Sequence, residues 1–286
     1  MASLKHVKIK VSGLPQRTVE LKTHPTSVRV WKLVLHSPEA TLTMQPAPPL
    51  LKLPPGFQCF NARGAFRNYE RNLPHWRQPG ASYFLTFRLR DSLPYEVIME
   101  MKREQEIWRE RIAHELRLGD GNLSVTTAED YEAFVIRRCR RLELLMDEAH
   151  GSCVFKKPDI RQRLVDILLH FHRDRYFMHG LVVMPNHVHL SVQPLGEWQA
   201  EDLLKSWKGF SARTINQHLG RSGSLWQADS WNRIIRDEAH WHRVMRYIMN
   251  NPARAKCWNG ESTVWVDASL VGGDAVVRED LEEEPW

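Results

Sequence analysis

The chain has 286 residues, 42% of them hydrophobic and 26% charged, with a formal net charge of +6. That composition excludes a wholly disordered chain and a coiled-coil rod, and no apolar run approaches the roughly 18 residues of a membrane helix. No apolar segment with a small-residue cleavage site follows Met1, and the four cysteines (Cys59, Cys139, Cys153, Cys257) form no CxxC pair. These features argue against secretion, a disulfide framework and a zinc ribbon, and for a reducing, cytoplasmic setting.

The charge is unevenly spread. Residues 257–286 hold eight acids and one base, a net of −7, so residues 1–256 carry +13. A body that basic suggests a polyanionic partner, although charge alone is equally compatible with a solvated basic surface.

Residues 1–60 contain eight of the 16 prolines, and eight bases against two acids. Such a stretch is expected to form a flexible basic arm, with an isolated hairpin around Val7–Val11 at most. Ser82–Leu89 reads as a strand. Pro94 precedes a periodic, charged helix over about 95–117, broken at Gly119-Asp120-Gly121-Asn122. Thr127 is the expected N-cap of a second helix over about 128–148, and Pro158 lies in the first turn of a third that reaches about His172. Two strands follow, Tyr176–Val183 and His187–Val192, around a Met184-Pro185-Asn186 turn. A helix covers 200–219 and ends at Gly220. Ser230–Arg236 is a strand, and Asp237 caps a helix over about 238–250, with Pro252 past its end. Antiparallel strands mixed with helices make the class α+β. The expected division is an arm (1–60), a domain (61–258) with a helical insertion at about 95–150, and an acidic tail (259–286).

His187-Val188-His189 lies inside a strand, so both imidazoles point to one face and can grip one divalent ion. Among 14 histidines a chance pair at this spacing is not rare. Tyr247 and Asn251 are i and i+4 on a helix and project together. That spacing suits a nucleophile beside a metal ligand, but by itself it favours packing, with Tyr247 in the core and Asn251 at a helix end.

Five strings, in order, resemble the REP-associated tyrosine transposases of the HUH single-tyrosine (IS200-like) family. They are Leu181–Leu190 (LVVMPNHVHL), Ser206-Trp207-Lys208, Leu225-Trp226-Gln227, Ile235-Arg236-Asp237-Glu238 and Tyr247-Ile248-x-x-Asn251-Pro252. An entry segment, His75–Gly80 followed by Tyr83-Phe84-Leu85-Thr86-Phe87, matches as well. The resemblance spans roughly residues 60–258. It implies a ferredoxin-like antiparallel sheet with packed helices. It makes His187, His189 and Asn251 the ligands of Mg²⁺ or Mn²⁺, and Tyr247 the nucleophile that forms a 5′-phosphotyrosine. The implied activity is nicking and rejoining of single-stranded or hairpin DNA at palindromic repeats. The family contains both monomers and homodimers, and the expected location is the cytoplasm, with the nucleoid. The alternatives are a replication initiator or relaxase of the same chemistry, and a domesticated DNA-binding protein without mobility. One departure concerns the turn after the helix: the resemblance calls for a glycine where this chain has Lys256, which should change that turn.

For the strand itself, Lys205, Lys208 and Arg213 on one helix, and Arg233, Arg236, Arg243 and Arg246 near the tyrosine, are the expected phosphate contacts. Trp207, Trp226 and Trp231 could stack on bases, although core packing is the stronger expectation.

Overall fold

In the computed structural model, which describes residues 51–64, 67–70, 74–118, 123–257 and 260–272, the chain begins with β1 (Arg67–Glu70), β2 (Pro74–Arg77) and β3 (Tyr83–Arg88). Helices α1 (Tyr95–Leu118), α2 (Val125–Asp147) and α3 (Pro158–Leu169) follow, then β4 (Tyr176–Val183) and β5 (His187–Pro194). The chain continues through α4 (Ala200–His218), β6 (Trp231–Ile234), α5 (Glu238–Arg254) and β7 (Thr263–Val266). The expected arm to residue 50, the break at 119–122 and the tail from 273 lie outside the described residues.

β1 and β2 pair as a separate hairpin, and the main sheet has the order β6-β3-β5-β4-β7 with every neighbour antiparallel. Within it, β3 to β6 take the ferredoxin-like βαββαβ arrangement, with α1, α2 and α3 all in the first crossover. The class is α+β.

Period-2 alternation divides the sheet into two buried faces. Leu85, Phe87, Leu181, Val188 and Leu190 face α3 and α4. Phe84 and Val182 face α5, whose Trp241, Val244, Met245 and Ile248 fill the other core. β4 bulges at His179, between Met178 and Gly180. Gly180 must lack a side chain because a Cβ there would come 2.7 Å from Met245 Cε and 3.1 Å from the Trp265 carbonyl oxygen. This close approach seats α5 on the sheet.

Several boundaries differ from those expected from the sequence. Residues 51–60 pack on the domain: Leu51 is buried and bridges to Val271, and the Phe60 amide donates to the Ile235 carbonyl. Residues 260–272 supply β7 and the buried Trp265, Val266 and Leu270. Ser124, not Thr127, caps α2, because its hydroxyl accepts from the Thr127 amide one turn on. α5 runs on to Arg254 with Pro252 inside it. A proline in the last turn forfeits one hydrogen bond there. Its carbonyl still accepts from the Cys257 amide, while the Ala253 carbonyl accepts from Lys256, the paired closure of a Schellman motif.

Candidate active site

The face of β5 that carries His187 and His189 looks toward α5, and both rings are buried, with centroids 4.7 Å apart. Each ring is oriented through Nδ1. His187 Nδ1 lies 2.8 Å from Asn186 Oδ1, and Asn186 Nδ2 is itself tied to the His150 carbonyl. His189 Nδ1 lies 2.7 Å from Thr86 Oγ1, and its ring stacks on Phe84. Oxygen partners at Nδ1 leave each Nε2 for something else, the arrangement that orients metal-bound imidazoles. Burial pushes the His187 pKa down to about 3, and Arg254 adds to the effect. Burial, then His187 and Arg254, holds His189 well below the ordinary value. Both rings are therefore neutral at pH 7, as ligands must be.

Tyr247 Oη lies 3.3 Å from His189 Nε2. It donates to Glu143 of α2 and accepts from Arg254 at 3.0 Å. Arg254 also reaches the Glu143 carboxylate at 3.0 Å and Asp147 at 3.5 Å, and its guanidinium lies over the tyrosine ring. Tyr247, Asn251 and Arg254 follow one another at four and three residues, so the extended α5 presents them as one stripe.

Burial raises the Tyr247 pKa well above its ordinary value, and the Glu143 charge adds to this. Burial also raises Glu143 to about 7 and Asp147 to about 6, in both cases against the pull of Arg254. Arg254 loses some charge stability to burial but gains more from Tyr247 and Glu143, so its pKa stays above the usual one.

Among the described residues, no three His, Cys, Asp or Glu side chains are grouped to hold a metal ion. The donor set here is of another kind. His187 Nε2 and Asn251 Oδ1 are both buried with no hydrogen-bond partner, a cost that an ion bound at this site would remove. Two imidazoles and a carboxamide oxygen thus fit a divalent cation.

The seven predicted phosphate contacts separate into groups. Lys205, Lys208 and Arg213 ride on α4, which packs on the opposite face of the sheet from Tyr247. Lys205 and Arg213 are exposed there. Lys208 instead donates to the carbonyls of Gln227 and Ala228, and burial lowers it to about 8. Arg233, Arg236 and Arg243 do come together: burial, then the charges of Arg236 and Arg243, lowers Arg233 to about 10. Arg246, half-buried on α5, bears on His242. Trp207 and Trp226 are core residues, whereas Trp231 is half-buried.

Glu143 is not singled out by the sequence motifs. Its only signal is position: it falls on the buried stripe of α2 with Cys139 and Met146, where an acid is out of place.

Residues 152–251 match the family model described as "Transposase IS200 like". Over those residues the chain is similar to IS200-like transposases. The matched segment includes the His pair, Tyr247 and Asn251, while Glu143 lies outside it and Arg254 just past it. No curated protein matches the chain. Among solved structures, one likeness is to a REP-associated tyrosine transposase bound to a REP hairpin, at 16% identity and TM-score 0.33 over 66% of this chain and 74% of that one. Another is to a protein described as a transposase, from Deinococcus radiodurans R1, at 16% identity and TM-score 0.28 over 67% and 96%. Among the described residues, no helix is long and apolar enough to cross a membrane.

Proposed function

We propose that the chain cuts and rejoins single-stranded DNA at hairpin or palindromic repeats, through a covalent bond between Tyr247 and a 5′-phosphate. The observation that carries this reading is the Tyr247 hydroxyl, 3.3 Å from His189 Nε2 and hydrogen-bonded to both Glu143 and Arg254. A buried phenol is a weak nucleophile until its proton has somewhere to go. Glu143 already accepts that hydrogen bond.

In the forward step the phenol proton passes to the Glu143 carboxylate, and the phenol oxygen bonds to phosphorus. The P–O3′ bond breaks, and O3′ keeps the electron pair and takes a proton from water. Once protonated, Glu143 is neutral and no longer repels the phosphate. Arg254 stays cationic and offsets charge on the tyrosine oxygen throughout. In the rejoining step a 3′-hydroxyl returns its proton to water as its oxygen bonds to phosphorus, the P–O bond to Tyr247 breaks, and the tyrosine oxygen recovers its proton from Glu143. His187 Nε2, His189 Nε2 and Asn251 Oδ1 would hold a Mg²⁺ or Mn²⁺ ion, whose charge offsets that developing on the phosphate oxygens.

The test incubates the full chain with a labelled hairpin oligonucleotide and Mg²⁺ or Mn²⁺. A covalent protein–DNA adduct forms and is absent with Tyr247→Phe; an adduct that persists in this variant removes the tyrosine from the mechanism. His187→Ala binds the hairpin but does not cut it, and unchanged cutting removes the His pair.

A further inference from the structure

The row of side chains that contains His189 continues across the sheet. In register, Thr86 on β3 lies opposite His189 on β5 and opposite Trp231 on β6. Directly opposed residues of an antiparallel pair share a face, so all three point to the α5 side. Thr86 holds His189 Nδ1. It also forms part of the wall of a partly open cavity of about 310 Å³ between this edge of the sheet and the inserted helices α1 and α2. Leu142 and Met146 of α2 line it as well, and they lie one residue before and three after Glu143, the tyrosine's partner.

The lining has two characters. Phe87, Ile98, Met101, Leu142 and Met146 give it apolar walls, with the flat indole of Trp231 at one side. Arg88, Lys102, Arg109 and Arg138 line it with four cations, against two acids, Glu106 and Asp229. Asp229 acts on the charge of Arg88, and Glu106 forms an ion pair with Arg109. Two N–H donors on lining residues, Trp231 Nε1 and Arg138 Nε, are buried with no hydrogen-bond partner. Buried donors without acceptors are rare and call for an explanation. A flat, apolar-faced ligand that carries a negative charge answers the apolar walls and the excess of cations. The volume sits at the small end of ligand pockets, enough for one such group and too small for a duplex.

We propose that this cavity receives a single nucleotide of the DNA strand next to the scissile phosphate, its base against Trp231 and its phosphate toward Arg138. The proposal rests on the reading of Tyr247 as a nucleophile toward single-stranded DNA. It gives the inserted helices a part in binding, because α2 brings Glu143 to the tyrosine with one side and seats a neighbouring nucleotide with another.

The test uses full-length Tyr247→Phe protein, which binds without cutting, and a fluorescein-labelled DNA hairpin flanked by thymidine single strands. An abasic site is moved stepwise through the flanks, and Kd is read by anisotropy. At one position the abasic site weakens binding by about ten- to a hundredfold, the worth of one base stacked on an aromatic ring. In Leu142→Trp, which fills the cavity, that penalty disappears. Trp231→Ala, a half-buried edge residue, removes the same penalty and serves if Leu142→Trp does not fold. A 5-iododeoxyuridine at that position crosslinks to the peptide that contains Trp231. Arg138→Gln lowers the salt slope of binding by about 0.7, one phosphate contact on a single strand. An abasic penalty unchanged in both variants, or crosslinks confined to other segments, overturns the pocket while leaving strand binding intact. Absence of any binding overturns the DNA reading and the pocket with it.

Discussion

Lys256 and Glu143 each sit where their residue type is unfavourable. Lys256 has φ 52°, the left-handed region that costs an L-residue about 1–2 kcal/mol and glycine almost nothing. The turn that a glycine would make is kept, contrary to the expectation from sequence, because the Schellman bonds of α5 hold Lys256 there. Lys256→Gly should therefore raise stability by about 0.5–1 kcal/mol, measured by urea unfolding; a loss would mean that the side chain has a stabilising contact. Glu143 is the second case. Its folded pKa of about 7 lies above the unperturbed 4.5. Between those pH values the folded chain retains a proton that the unfolded chain has lost. The stability this contributes is complete below about 4.5 and is lost as pH rises through 7. Asp147, raised to about 6 from 3.8, acts in the same direction over its own range. Unfolding at pH 5 and pH 7.5 should show a decline that Glu143→Gln reduces by about 1–3 kcal/mol. The same variant should slow adduct formation at pH 7 by about a hundredfold or more, the usual worth of a proton acceptor.

Among the elements, α5 is the one on which the site depends, and its fit is set by β4. The missing Cβ of Gly180 lets Met245 and the Trp265 carbonyl approach. Gly180→Ala should cost about 1–3 kcal/mol by overpacking, since the backbone carbonyl cannot swing aside as Met245 can. Because Met245 lies two residues from Tyr247, the variant should also lose cutting activity beyond what its melting temperature explains, measured as adduct yield well below the midpoint. The elements themselves were largely legible. Periodicity and punctuation located β3, the three helices of the crossover, the β4–β5 hairpin, α4, β6 and α5. Pro252 obscured the end of α5. A proline usually stops a helix, but here the last three residues remain helical and bring Arg254 round to Tyr247. β7 was missed because four residues in an acidic stretch give too short a pattern, and its strand identity comes from pairing with β4.

At the scale of the molecule, the sheet separates the expected basic residues. The α4 group lies behind it, and the Arg233, Arg236 and Arg243 group lies on β6, on α5 and in the connection between them. The contribution of β7 makes a further prediction. Truncation after residue 258 removes Trp265, Val266 and Leu270, all buried. It also removes Asp267, which binds His172 and Arg173. At about 1.5–3 kcal/mol for each large apolar side chain, the loss approaches the whole stability of a domain. That truncation should fail to give a cooperative melt in a thermal scan that the full chain passes. By itself the sequence determined which residues are neighbours at short range. His187 and His189 share a strand face, Tyr247 and Asn251 share a helix face, and the α+β class follows from element order, because local geometry has a fixed period. Only the tertiary structure decided that Glu143 meets Tyr247 across 104 residues, that Thr86 orients His189, and that a cavity opens beside them. Those contacts depend on how α2 packs over the sheet, and an acid in the middle of a helix carries no local mark of the partner it will meet.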